Sequence, residues 1–249
     1  MTILESWTLS PDEFAWLWSG AGLDRYPDPI AILETTATAD EYHQLAREFT
    51  ARFPRDGHNN PRPALRAIGE AGIRITASGR IHGTADRVRA IAAATSQHNI
   101  IATQTSSADP DFGAQVQVDS VPRRDLLHYF SLTLPTTPAG QAEKMVGYTS
   151  RIRGESPPSS WHVAADGRPA VEERIRAFLR LPRSAEGAIR IDHPGSTQPT
   201  YLSWVDVAPG HHASGRYLIA VNETGTDTVI LPAGIDIIAS ELRRRIQPR

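Results

Sequence analysis

The chain has 249 residues, 40% hydrophobic and 22% charged, the balance of an ordinary globular protein with enough length to bury one large core or two small ones. Acids outnumber bases, 28 to 26, and Lys144 is the only lysine, so the net basic surface that marks nucleic-acid binding is missing. The absence of cysteine removes disulfides, thiolate metal sites and cysteine nucleophiles together, and the longest apolar runs, such as Ile100–Ala102 and Val229–Leu231, fall far short of the roughly 20 residues of a membrane span.

The first residues carry Glu5, Asp12 and Glu13 where a signal peptide would place a basic and then an apolar segment, so a cytoplasmic protein is expected. Ser10, Pro11 and Glu13 spell a capping box with proline at the first helical position, Leu9 is placed to staple onto Phe14, and Gly20 ends the helix. Phe14, Leu17 and Trp18 share its core face, and Trp16 points elsewhere. Ile30–Leu33 reads as a short strand. Thr38 and Glu41 open a second helix with Tyr42, Leu45, Ala46 and Phe49 on one side, closed near Phe53 by Pro54. The Gly, Asn and Pro content of residues 55–63 reads as a loop, and a short helix follows over Ala64–Ala71.

From Ile73 the period changes to two. Ile73 and Ile75 alternate with polar residues, Ile100–Thr105 is β-rich, and Val116 and Val118 alternate with glutamine; in Asp86–Thr95, Val88, Ile91 and Ala92 fit a helix while Arg87, Arg89 and the turn at Gln97–Asn99 suit a hairpin arm, and the strand is preferred. Pro122 starts a helix that stops before Pro135. A helix led by alanine and glycine is expected over Ala139–Ile152, then a linker at Gly154–Ser160, then a helix opened by Pro169 that carries Val171, Ile175, Phe178 and Leu179. Strands return at Ala188–Asp192, Tyr201–Val207, Arg216–Val221 and Thr226–Leu231. The chain closes with an amphipathic helix over Ala233–Ile246, whose last turn holds Arg243, Arg244 and Arg245, a solvated cationic helix end.

Residues 72–79 (GIRITASG) and 188–195 (AIRIDHPG) share isoleucines, an arginine and a closing glycine. Each follows a helix and precedes three further strand candidates and a helix that begins near a proline. The pattern predicts an α+β fold: an antiparallel β-sheet built from two pseudo-repeated halves, residues 1–137 and 138–249, within a single domain with helices packed on the sheet. Whether the halves join edge to edge or stack back to back stays open.

No phosphate-binding loop, dinucleotide fingerprint, nucleophile elbow, zincin motif or S-x-x-K is present. His211 and His212 are neighbours in a Gly-flanked turn, expected to point to different sides and not to chelate, so no metal and no cofactor is expected. Asp86 and Asp206 lack an acid or nucleophile partner at useful spacing. Trp204 and Tyr217 are expected to form a cross-strand core pair.

Read in order, Trp7-Thr8-Leu9 with the Asp12-Glu13-Phe14 helix, Tyr26-Pro27-Asp28-Pro29, the Gly113–Val118 strand, Leu132–Pro135, and the hairpin from Leu202-Ser203-Trp204-Val205-Asp206-Val207 to Gly215-Arg216-Tyr217-Leu218 resemble the EspG family of secretion-associated proteins. The resemblance spans almost the whole chain, and the Trp-x-Asp hairpin with Gly-Arg-Tyr is its most telling part. It implies a cytosolic, non-catalytic chaperone of type VII secretion that binds the PPE subunit of a PE/PPE heterodimer at its tip and keeps it soluble for export. It also implies a sheet of two related halves, with the central sheet and C-terminal helices covering the apolar helical tip. Candidate contacts are then Phe178, Leu179, Ile238 and Leu242 on helices and Tyr201 and Tyr217 on the sheet. The rivals are an enzyme with a cleft between the halves, using Asp206 or His211, and a ligand-sensing or self-associating module; a homodimer is left open.

Overall fold

The computed structural model describes residues 2–36, 38–157, 167–222 and 224–246. Among them, ten strands form one antiparallel sheet that carries seven α-helices, an α+β fold. In chain order the elements are β1 (Glu5–Leu9), α1 (Pro11–Gly20), α2 (Ala39–Arg52), α3 (Arg62–Gly69), β2 (Ile73–Ile81), β3 (Arg87–Ala94), β4 (Asn99–Ser106), β5 (Gly113–Ser120), α4 (Leu126–Leu132), β6 (Met145–Tyr148), α5 (Thr149–Arg153), α6 (Val171–Leu179), β7 (Arg183–Asp192), β8 (Thr200–Val207), β9 (Gly215–Val221), β10 (Asp227–Pro232) and α7 (Ile235–Ile246). Across the sheet the strands run β1-β5-β4-β3-β2-β7-β8-β9-β10-β6, so β2 and β7 meet in the middle.

Side-chain alternation divides three cores between the two faces of this sheet. On one face, α1 and α3 bury Phe14, Leu17, Trp18, Leu65 and Ile68 against Ile91, Ile100, Val116 and Val118. Farther along the same face, α6 buries Ile175 and Phe178 against Val205, Tyr217 and Ile230. On the opposite face, α4 and α7 pack side by side over the centre, with Phe130, Ile238 and Leu242 against Ala77, Ile189, Leu202 and Trp204. The Trp204 indole fits there because the paired Gly79 and Gly187 leave a slot: a Cβ on Gly79 would lie 2.5 Å from the ring.

The α1 capping box forms as the sequence predicts: Ser10 Oγ accepts from the Glu13 N–H (3.2 Å) and Glu13 Oε2 from the Ser10 N–H (2.9 Å). The helix therefore starts with two of its orphan donors satisfied. Leu9 and Phe14, the staple pair, are both fully buried.

Several expectations need correction. Residues 30–36 form no strand; the side-chain amide of buried Gln104 takes the place of a ladder, donating to Ala31 O and accepting from Ala31 N–H, both at 2.9 Å. The helix expected over Ala139–Ile152 is instead an extended segment, the edge strand β6 and the short α5. Its glycine is there for closeness rather than for a helix, since a Cβ on Gly140 would fall 2.0 Å from the Tyr217 ring. The expected linker Gly154–Ser160 lies partly outside the described residues; Gly154 itself ends α5 in a left-handed conformation. The strand expected over Ala188–Asp192 begins five residues earlier, at Arg183. Of the two closing glycines in residues 72–79 and 188–195, Gly79 lies within β2 opposite Gly187 and Gly195 occupies the turn after β7 at φ +76°.

Candidate functional site

The helices leave part of the second face bare. Past α7, the strands β9, β10 and β6 continue toward the sheet edge with no helix of the described residues packed on this face, and an open trough of about 1030 Å³ results. Its floor is Leu202, Leu218, Ala220, Val229 and Leu231, with Ile73 and Ile246 at one wall. The ladder pairs Val229 with Val146 on β6, and Val146 is 47% exposed, so the apolar strip runs on to the edge. Contiguous exposed apolar surface of this kind on a folded chain marks a place where something binds.

The rim is polar. Lys144, His193, Thr200, Asn222 and Thr224 surround the floor, and the last turn of α7 contributes Glu241, Arg244 and Arg245. Arg244 reaches Glu241 Oε2 at 2.7 Å and Arg245 bonds the same oxygen. Burial pushes the Glu241 carboxyl up, but the two guanidinium groups outweigh it and hold the acid below its usual range. The wall beside the apolar floor thus sets two guanidinium groups on one carboxylate and keeps one positive charge in excess, part of a polar rim around an apolar centre.

The residues singled out from sequence fall in three places. Phe178, Leu179 and Tyr217 belong to one core on the opposite face, where the Phe178 and Tyr217 rings meet edge to face at 4.7 Å. Tyr217 is fully buried, its hydroxyl donating to Ala213 O (2.9 Å) and accepting from Ala142 N–H (2.8 Å). Ile238 and Leu242 are fully buried beneath α7, where they seat the helix that walls the trough. Tyr201 is 57% exposed, on the face away from the trough. None of the six lines the trough. The residues that do, above all Val229 and Leu231, were visible in the sequence as an apolar run with Ile230 between them. Such a run reads as a strand buried on both faces, and here only one face is covered.

The motif Trp204-x-Asp206 with Gly215-Arg216-Tyr217 is structural. The Arg216 guanidinium grips Asp206 through Nε–Oδ1 (2.7 Å) and Nη2–Oδ2 (2.6 Å), with both side chains buried. Nη2 also donates to Pro135 O (2.5 Å), and the Thr137 hydroxyl donates to Asp206 Oδ2 (2.8 Å). Arg216 N–H donates to Pro138 O, and Gly140 N–H to Arg216 O. The motif therefore clamps residues 135–142 onto the ends of β8 and β9. Gly215, at φ +113°, admits the Ala139–Gly140 backbone at a distance no Cβ would allow. With both oxygens held, Asp206 is not placed to act as a general base.

Trp204 and Tyr217 are not a cross-strand pair: the register sets Trp204 opposite Leu218 and Tyr217 opposite Val205, on different faces. His211 and His212 do not point apart; their rings lie 4.2 Å from each other, and His211 Nδ1 accepts from Ala213 N–H.

No curated protein matches the chain. A solved structure, HtdX of Mycobacterium tuberculosis, aligns over 91% of this chain and 98% of its own at 16% identity, with a TM-score of 0.18, which carries no statement about fold. The model of the EspG family matches residues 10–244, and the chain belongs to the EspG family.

Proposed function

We propose that this protein is a cytoplasmic, non-catalytic chaperone of type VII secretion that holds the PPE subunit of a PE/PPE heterodimer by its apolar helical tip until export. Membership of the EspG family supports the secretion-chaperone role. The observation that carries the rest is the apolar floor of β9 and β10 beside the C-terminal helix, open over about 1030 Å³ and rimmed by polar groups. Among the described residues no helix is long and apolar enough to cross a membrane. We also read the chain as two related halves, residues 1–137 and 138–249. The support is the order of elements: on each side of the β2–β7 pair an edge strand leads through helices into a four-stranded meander and a closing helix.

The test is co-expression with candidate PE/PPE pairs followed by gel filtration, with the chain run alone to read self-association. A cognate pair co-elutes with the wild-type chain. Val229→Glu and Leu231→Glu each place a charge on the floor and weaken that complex by about 100-fold or more, with unchanged thermal stability of the free chain. Free elution of every pair would remove the chaperone reading, and retention of the complex by both variants would move the site elsewhere.

A further inference from the structure

A second cavity, of about 310 Å³, lies between α1, α2 and the 23–36 loop, in the other half of the chain and on the other face of the sheet from the trough. It is unusual in its chemistry. Trp16, Tyr42 and Phe49 supply aromatic walls, and among the described residues the only ionisable groups besides tyrosine are the carboxyls of Asp12, Asp24 and Glu34, with no lysine, arginine or histidine in the lining. Trp16 and Phe49 stand 5.7 Å apart at 57°, like two walls of an open box.

The space exists because α2 does not close on α1. The sequence gives α2 an apolar side, Tyr42, Leu45, Ala46 and Phe49, yet no residue of the helix is buried. An apolar ligand would fill that space only by stripping water from carboxylates with no counter-charge, which is costly. A hard metal ion finds too few free oxygens: the Thr35 N–H and hydroxyl occupy both oxygens of Asp12, at 2.8 and 2.5 Å, and Glu34 Oε1 accepts from the Tyr26 hydroxyl at 2.7 Å. Asp24 is exposed and has no hydrogen bond or ion pair among the described residues. What suits rings and carboxylates together is a large, weakly hydrated cation, attracted to ring faces and to negative charge at once. The Trp16 ring already meets one such group: the guanidinium carbon of Arg62, which does not line the cavity, lies 4.7 Å from its centre.

We propose that the α1–α2 cavity is a binding site for an organic cation, a guanidinium or alkylammonium group. Burial first, and then the hydrogen bond to Glu34 and the charges of Glu34 and Asp12, push the Tyr26 phenol well above its ordinary range. The site does not depend on the chaperone reading, because none of its residues belongs to the trough.

The experiment is an NMR titration of the indole N–H signals of the full chain, with Trp16 assigned by Trp16→Phe. The probes are tetramethylammonium, N-acetylarginine methylamide and its neutral isostere N-acetylcitrulline methylamide. The Trp16 signal shifts saturably with one or both cations and not with the citrulline compound; the tighter cation tells whether the natural ligand is a free alkylammonium or an arginine presented by a polypeptide. Asp24→Asn and Tyr42→Ala, both at exposed positions and so compatible with folding, each weaken binding by about fivefold. Equal response to the neutral isostere, no saturable shift with either cation, or unchanged affinity in both variants would overturn the assignment.

Discussion

Asp206 on β8 and Glu186 on β7 sit at neighbouring positions of one ladder, where Ala185 pairs with Asp206 and Glu186 with Val205. Their side chains leave on opposite faces, and both meet arginine. Asp206 is sealed with Arg216, Thr137 and Pro135, its side chain 1% exposed. Glu186 gathers Arg80 (2.5 Å), Arg183 and His82 (3.2 Å) at a surface where its side chain stays 20% exposed and Arg80 60% exposed. The same pair of ions thus fixes a chain crossing in one place and decorates a surface in the other. A buried ion is costly to leave alone, whereas water takes over for a partner lost at the surface.

Breaking the sealed pair gives the largest effect: Asp206→Ala strands the Arg216 guanidinium and lowers stability by about 3–5 kcal/mol in urea denaturation. Gly140→Ala attacks the same clamp without touching a charge. Its Cβ would fall 2.0 Å from Tyr217, and the loss is about 1–3 kcal/mol, so a smaller value than for Asp206→Ala separates stranded charge from lost closeness. Replacing both ions, Asp206→Leu with Arg216→Met, recovers most of the loss and leaves a deficit of about 1–2 kcal/mol, since only Pro135 O and Thr137 are then without their partners. If the double variant is as weak as the single one, the pair is not what holds the crossing.

Glu186→Gln is the smallest change at neutral pH, below about 1 kcal/mol. Its signature is in acid. Hydrogen bonds from Arg80 first, and then from Arg183, outweigh burial and hold the Glu186 carboxyl down at about 2 from an ordinary 4.5. A depressed acid stabilises the fold fully above its unfolded value, so the contribution is intact above about pH 4.5 and fades as pH falls toward about 2. Thermal melts across that window drop less steeply for Glu186→Gln than for the wild type. Parallel curves would show that the surface cluster contributes nothing.

Local chemistry made much of the fold legible. The Ser10 capping box and the alternating isoleucines around Ile75 each state their structure within a few residues. Elements that depend on distant partners were hidden. The strands β1 and β6 are five and four residues long and exist through pairing with β5 and β10, while Ala139–Ile152 has a helical composition that the Tyr217 contact at Gly140 overrides. At the site the limit is different: a buried Tyr217 and an exposed Tyr201, or a covered Ile230 and an open Val229, are the same kind of residue in sequence. Only the placement of α4, α6 and α7 on one face or the other distinguishes them.

The union of β2 with β7 runs for eight paired positions, from Arg74–Asp192 to Ile81–Ala185, so main-chain bonding continues without a seam from one edge of the molecule to the other. A plate of this kind has no hinge at its middle. Under the proposed function, cargo lying on it would not be freed by the two sides swinging apart, because that movement would tear a row of hydrogen bonds between amides and carbonyls. Departure would then fall to a competitor that claims the cargo's greasy end more strongly, and hand-over for export would be a contest of surfaces rather than a change of shape in the carrier.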